Sequence, residues 1–223
     1  MPLDDYDGNT YVAYLDISGF KLLMKKETGW KALDLLYSSG YQSLQRHPTV
    51  QGFFVSDCGI LFVRVNPLNG GLSTLLTVIK EINREMALQD FMLTCSIAYG
   101  AFKYKSKIEF TGIEKNPIYG NAYLSSVIDT EESTPKIEPT QCRIVKENLP
   151  FRPNELGEMR NNPEIALLRE KGSDRRHYYY YWMVNDPLEI QRFERMFEDS
   201  YQQKYAGMLK AVKAFAFTHQ HLT

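Results

Sequence analysis

The stretch Tyr11-Val-Ala-Tyr-Leu-Asp-Ile-Ser-Gly-Phe20 decides the fold. Tyr11 to Leu15, rich in aromatic and apolar side chains, reads as a strand, and Ser18-Gly19-Phe20 turns the chain into a helix. A carboxylate, Asp16, stands at the end of that apolar run. A second, Asp57, sits in a similar setting, Gly52-Phe-Phe-Val-Ser-Asp-Cys-Gly-Ile-Leu-Phe-Val63. A buried carboxylate is costly unless it meets a cation or a donor network, so the two together predict a shared metal site. Taken singly, one could instead cap a helix and the other open a hairpin turn. Gly19 lets backbone amides approach an anion, and with it the pair predicts a site for a metal and a triphosphate.

Working outward, Lys21 to Arg46 carries apolar residues at helical spacing (Leu22, Leu23, Ala32, Leu35, Leu36, Leu44), interrupted at Thr28-Gly29. His47-Pro48 ends that segment, because a residue before proline is pushed out of the helical region. Gln51 to Val65 reads as two strands joined tightly around Asp57-Cys58-Gly59, Ser73 caps a helix running to Gln89, and Phe91 to Phe102 is another strand. The order β-α-β-β-α-β predicts an α+β protein with a ferredoxin-like antiparallel sheet. In that plan the first and second strands are expected to be neighbours and to present Asp16 and Asp57 together.

Beyond the core, 103–119 is polar and reads as a loop, and Gly120 opens a helix from Asn121 to Glu132. A strand is expected around Cys142-Arg-Ile-Val145, a short helix over 163–171, and an aromatic strand over 177–184. The run Tyr178-Tyr-Tyr-Tyr-Trp182 could stack bases, but the preferred reading is a half-buried strand with one face in a dimer interface. Apolar residues from Ile190 to Val212 recur at helical intervals, which predicts one long terminal helix over about 187–222, bent at Gly207 and serving as a dimer element or, second in preference, as a cover for the core. The whole chain, 1–223, reads as one domain with its catalytic core at about 10–185.

Apolar content of 43%, charged content of 24% and a net charge of −1 describe a soluble globular protein with no general attraction to nucleic acid or anionic lipid. No apolar stretch approaches the roughly 20 residues of a bilayer span, and the N-terminus is acidic where a signal peptide is basic, so a cytoplasmic location is expected. Cys58, Cys95 and Cys142 fall singly, without zinc-type spacing, and are expected to be reduced, buried and inert.

The Leu-Asp-Ile-Ser-Gly-Phe segment, the Ser56-Asp57 hairpin, the strand Ile97-Ala-Tyr-Gly100 and Ile118-Tyr-Gly120 before a helix together resemble a class III nucleotidyl cyclase catalytic domain. The resemblance covers roughly 11–132, and more loosely 177–184. It implies a homodimer with two active sites at its interface, cyclising a nucleoside triphosphate to a 3′,5′-cyclic monophosphate and pyrophosphate. It implies two Mn2+ or Mg2+ ions held by Asp16, Asp57 and the carbonyl of Ile17, and phosphate contacts from the backbone of Ser18, Gly19 and Phe20.

Departures from the family pattern are equally informative. Where purine cyclases carry a lysine and an aspartate that read the base, ungapped counting gives Phe53 and Pro117. Where the family carries its transition-state asparagine and arginine, it gives Leu124 and Ile128. Either the helix is shifted, making Asn121, Ser125 or Asp129 the equivalents, or another basic group serves, such as Lys171, Arg175 or Arg176. Losing the purine readers while keeping both aspartates is similar to the bacterial pyrimidine cyclases of the Pycsar antiphage system. That likeness implies UTP or CTP as substrate, cyclic UMP or cyclic CMP as product, and a separate effector responding to it. The rival expectations are a purine cyclase with unusual base contacts and an inactive, cyclase-derived nucleotide-binding or interaction module.

Overall fold

The computed structural model describes residues 4–64, 70–105, 108–110, 113–115, 118–152, 155–200 and 204–217. Strand β1 (Tyr6–Ile17) leads through Gly19 into a short helix, α1 (Phe20–Lys25), and then α2 (Gly29–Arg46). The hairpin β2 (Val50–Val55) and β3 (Cys58–Val63) follows, then α3 (Leu72–Leu88) and β4 (Leu93–Tyr104). This is the expected β-α-β-β-α-β order. The expected neighbours differ, however: β1 pairs with β3 and β4, both antiparallel, and β2 lies outside β3 at the sheet edge. It is the second strand of the hairpin that brings Asp57 beside β1.

The sheet continues past β4 in the order β2-β3-β1-β4-β8-β10-β9, with β8 (Cys142–Val145) parallel to β4 and β10 (Asp174–Tyr180) antiparallel to both β8 and β9 (Leu168–Lys171). Alternation along β1 separates two cores. Tyr11, Ala13, Leu15 and Ile17 face α2 and α3 in the main core, with Leu36, Leu75, Ile79 and Ile82. Val12 faces the other side, where Ile60, Phe62, Phe102, Tyr104 and Ala122 form a second cluster beneath α4 (Asn121–Glu131), flanked by the half-buried Tyr14 and Phe53. Asp16, in phase with Val12 and Tyr14, belongs to this second face.

Four expectations are corrected. The described residues of 103–119 are mostly strand: β4 runs on to Tyr104, and short strands follow at β5 (Ile108–Phe110), β6 (Ile113–Lys115) and β7 (Ile118–Tyr119), which pairs back on β4. The run 163–171 is not a helix; a 3-10 turn at Ile165–Leu167 leads into β9, with α5 (Glu155–Met159) before it. The terminal segment is two helices, α6 (Ile190–Ser200) and α7 (Lys204–Ala216), that pack on each other, with the rings of Phe193 and Phe215 5.5 Å apart. One straight helix would place those rings on distant turns. Finally, Tyr178 to Trp182 are all buried within the chain, 6% exposed or less, so both faces of that run are already covered and neither is a dimer surface. Cys95 and Cys142 are buried thiols, whereas Cys58 is half-exposed.

Candidate active site

Asp16 and Asp57 converge at one end of the sheet because of register. Asp16 is opposite Cys58 in the β1–β3 ladder, so Asp57, in the two-residue turn before Cys58, is diagonal to it. The turn is tied to β1 by the Ile17 N–H, which donates to the Asp57 carbonyl at 3.0 Å. Ser56 occupies the left-handed region at φ 54°, the geometry of a tight hairpin. Burial, then the charge of Asp57, then that of Glu131 push the Asp16 carboxyl up to about 6. Glu131, at the C-terminal end of α4, is thus a third carboxylate near the pair.

Asp16 lines a cavity of about 330 Å³ with Ser18, Gly19, Thr94, Glu131 and Lys136. Two of these hydroxyls, Ser18 Oγ and Thr94 Oγ1, are buried with no hydrogen-bond partner among the described residues. Orphaned buried oxygens beside an unneutralised carboxylate pair are the donor set that a hard divalent cation and its water shell satisfy. The chemistry of these residues fits a hard divalent cation such as Mg2+ or Mn2+, which Asp16 and Asp57 could hold between them. Among the described residues no three His, Cys, Asp or Glu side chains form a ready metal cage, so such an ion would complete its shell with substrate oxygens and water.

The phosphate loop is narrower than expected. Gly19 sits at φ 74°, in the left-handed region that favours glycine, and turns the chain into α1. The Ser18 N–H, however, already donates to the Met92 carbonyl at 2.8 Å, so of the three expected phosphate contacts only the Gly19 and Phe20 amides stay candidates.

The remaining predicted residues fall elsewhere. Phe53 stands on the Asp16 face but is stacked on Tyr104, centroids 5.6 Å apart, in the second aromatic cluster. Pro117 lies outside the described residues. Asn121 opens α4 over Gly100, where an added Cβ would meet its Oδ1 at 2.5 Å. Leu124 and Ile128 are exposed, so the outer face of α4 is apolar where the family carries its transition-state residues. Arg175 is exposed and lines a separate trough with Lys171 and Arg176 rather than the Asp16 cavity.

Asp129 is no shifted transition-state group. Arg143 Nε donates to its Oδ2 at 2.7 Å and Arg143 NH2 to its Oδ1 at 3.0 Å, Ser96 Oγ donates to Oδ2 at 2.7 Å, and His177 Nε2 lies 2.8 Å from Oδ1. Burial alone would raise this carboxyl, but the bonds from His177, Arg143 and Ser96 outweigh it and hold it well below the usual carboxylate range. His177 Nδ1 lies 2.7 Å from Asp174, which also accepts from the Tyr179 hydroxyl. The network ties α4 to β8 and β10 and, through Arg143 NH1 on the Pro135 carbonyl, anchors the segment carrying Lys136.

With this geometry in place, comparison with solved structures gives the same fold. The chain is similar to the adenylyl cyclase CyaB from P. aeruginosa (TM-score 0.51, 16% identity, covering 80% of this chain and 95% of that one). It is also similar to the guanylate cyclase domain of RhGC from Catenaria anguillulae in complex with GTP (TM-score 0.55, 12% identity, 80% and 97%). A third likeness is to a class III adenylyl cyclase-like ATP-binding protein from Pseudomonas aeruginosa (TM-score 0.52, 12% identity, 64% of this chain and 34% of that one). No protein-family model matches the sequence, and no curated protein does. The chain has the α+β fold of the nucleotidyl cyclase catalytic domain.

Proposed function

We propose that this chain is a nucleotidyl cyclase, with UTP or CTP as its substrate. The observation that carries the reading is the convergence of Asp16 and Asp57 at the β1–β3 ladder end, their charges unbalanced, beside orphaned hydroxyls and the Gly19 turn. In the reaction the ribose 3′-oxygen attacks the α-phosphorus, the bond to the α–β bridging oxygen breaks, pyrophosphate leaves carrying that oxygen, and the hydroxyl proton passes to solvent water. Bound divalent cations supply Lewis acidity to the 3′-hydroxyl and charge stabilisation at the α-phosphate and departing pyrophosphate.

The side chains of Asp16 and Asp57, with the Ile17 carbonyl, would hold those cations at the strand end. The Gly19 and Phe20 amides orient phosphate oxygens, and Lys136, on the cavity wall, adds positive charge where none is offered by α4. Arg175 does not enter this site within one protomer.

The pyrimidine assignment rests on Phe53. Its ring is committed to Tyr104 and presents no donor where a purine reader is expected, and the aromatic wall suits a single-ring base. A homodimer completing the site across the exposed apolar face of α4 belongs to the same reading. Among similar structures, the guanylyl cyclase domain of RhoGC from Blastocladiella emersonii is described both as a dimer (TM-score 0.55) and as a monomer (TM-score 0.54). A role in bacterial antiphage defence, with a separate cyclic-nucleotide effector, rests on the resemblance in sequence alone.

Competition among ATP, GTP, CTP and UTP, present together with Mn2+, tests the substrate. A cyclic pyrimidine product is expected. Cyclic AMP or cyclic GMP as the dominant product would transfer the same metal site to the purine class of the solved neighbours.

A further inference from the structure

At the same end of the sheet as Asp16, a second cavity of about 310 Å³ lies between β10 and α6. Its place follows from register. Asp16 pairs with Thr94, the adjacent Cys95 with Cys142, and Cys142 with Tyr180. The cavity therefore stands two to three strand spacings away, on the order of 10–15 Å. Most of its lining is ring and thioether surface, from Tyr179, Tyr180, Tyr181, Met183, Phe193 and Phe197, with the carboxylates of Glu194 and Glu198 at its α6 wall and Thr140 and Gln141 opposite as polar edges that a base can meet. The three tyrosine hydroxyls are committed to Asp174, Glu164 and Glu194, so the tyrosines themselves offer ring faces and edges.

Through Gln141, Lys171, Gly172 and Tyr179 the cavity shares a wall with an open trough of about 660 Å³. The trough is basic, with Lys136, Lys171, Arg175 and Arg176 set against Glu138 and Asp174, and with Glu170 3.9 Å from the Arg175 guanidinium. Asp174 already meets His177 and Tyr179.

We propose that cavity and trough form a second binding site for a nucleotide, its base held among the rings and its phosphate in the trough, separate from the Asp16–Asp57 pair. An inorganic anion would have no use for the rings, and a purely apolar ligand none for the four cations. A cavity of about 310 Å³ lies at the small end of the roughly 300–1,000 Å³ of ligand pockets. Base stacking on aromatic rings and arginine contacts to phosphate are the two recurring ways proteins hold such a molecule. The segment 134–141 borders this site and the Asp16 cavity alike, with Lys136 lining both the trough and that cavity, so occupancy of one has a physical route to the other. The inference stands on the lining chemistry and holds whether or not the Asp16 site is a cyclase.

The test uses intrinsic fluorescence of the full chain. Trp182 Nε1 donates to the carbonyl of Thr140, a cavity residue, at 2.7 Å, and the other of the two tryptophans, Trp30, is exposed. Trp30→Phe makes Trp182 the sole reporter, and UMP and AMP are titrated separately in EDTA, which silences metal-dependent binding. Equilibrium dialysis with the same labelled nucleotides reads any binding that leaves fluorescence unchanged.

Saturable binding is expected, weakened at least roughly tenfold by Lys171→Glu and by Arg175→Glu, both exposed positions, and left within about twofold by Asp16→Asn. Uridine, which lacks the phosphate, and orthophosphate, which lacks the ring, should each bind at least roughly tenfold more weakly than UMP. No binding of either nucleotide by both methods, or binding lost in Asp16→Asn yet kept in Lys171→Glu, overturns the proposal.

Discussion

Replacing Asp16 by Asn should make the metal-free protein more stable, not less. In the folded chain the Asp16 carboxyl is pushed from 3.8 up to about 6 by burial, Asp57 and Glu131, in that order. The folded state therefore holds a proton that the unfolded chain has already released between pH 3.8 and about 6. Stability linked to this group is full below pH 3.8 and is lost as pH rises through about 6. Taken whole, that gap corresponds to roughly 3 kcal/mol. Asp16 is only partly buried, and solvent screening reduces this to about 1–2 kcal/mol. Asparagine keeps the shape and cannot ionise. At pH 7.5 in EDTA, Asp16→Asn should melt roughly 2–8 °C above wild type by circular dichroism, and the difference should vanish near pH 4. Occupancy of the Asp16 site by Mn2+ with a triphosphate at about 100 times that site's Kd should add about 2.7 kcal/mol to wild type beyond any nucleotide stabilisation the two proteins share, closing or reversing the order. A variant less stable than wild type at pH 7.5, or offset equally at both pH values, would refute the electrostatic account.

Asp129→Ala leaves Arg143 buried and unpaired, so a loss of about 3–5 kcal/mol is expected in urea unfolding; a loss under about 1 kcal/mol would contradict the network. The contribution of Asp129 is present above the usual carboxylate range and fades only as pH falls through its depressed value, so wild type should keep its lead over Asp129→Ala down to about pH 4. Gly120→Ala puts a Cβ 2.2 Å from the Ala101 carbonyl oxygen at φ +135°, which strains the start of α4; a loss of about 2–5 kcal/mol is expected by thermal melting. Glu170→Gln, by contrast, breaks a half-exposed pair with Lys146 and should change stability by less than about 1 kcal/mol in the same assay.

The β-α-β-β-α-β core was legible because local signals agree there: Gly19 after an alternating strand, Pro48 after a helix, and a two-residue turn between apolar runs. What lay beyond was not, for definite reasons. Lys103 and Lys105 mask the end of β4, since a strand with a solvated face reads as polar loop. The charges of Leu168-Arg-Glu-Lys171 fit a helix as well as an edge strand, and only pairing with β10 decides between them. The apolar period of α6 continues in phase into α7, so periodicity alone joins two helices that fold back on one another.

At the site, Asp16, Asp57 and Gly19 could be read from strand ends. Glu131, Thr94 and Lys136 could not, because tertiary packing alone brings them to Asp16. Arg143 did carry a signal that went unused. An arginine inside the apolar run Cys142–Val145 demands a buried counter-charge, and Asp129 supplies it.

The measurement closest to the central claim is product formation from each of the four triphosphates with Mn2+, resolved by chromatography and mass, in wild type, Asp16→Ala and Asp57→Ala. A 3′,5′-cyclic nucleotide with equimolar pyrophosphate from wild type, absent from both variants while their circular dichroism stays native, is the result the account predicts. Cyclic product at wild-type rates from either variant would contradict it.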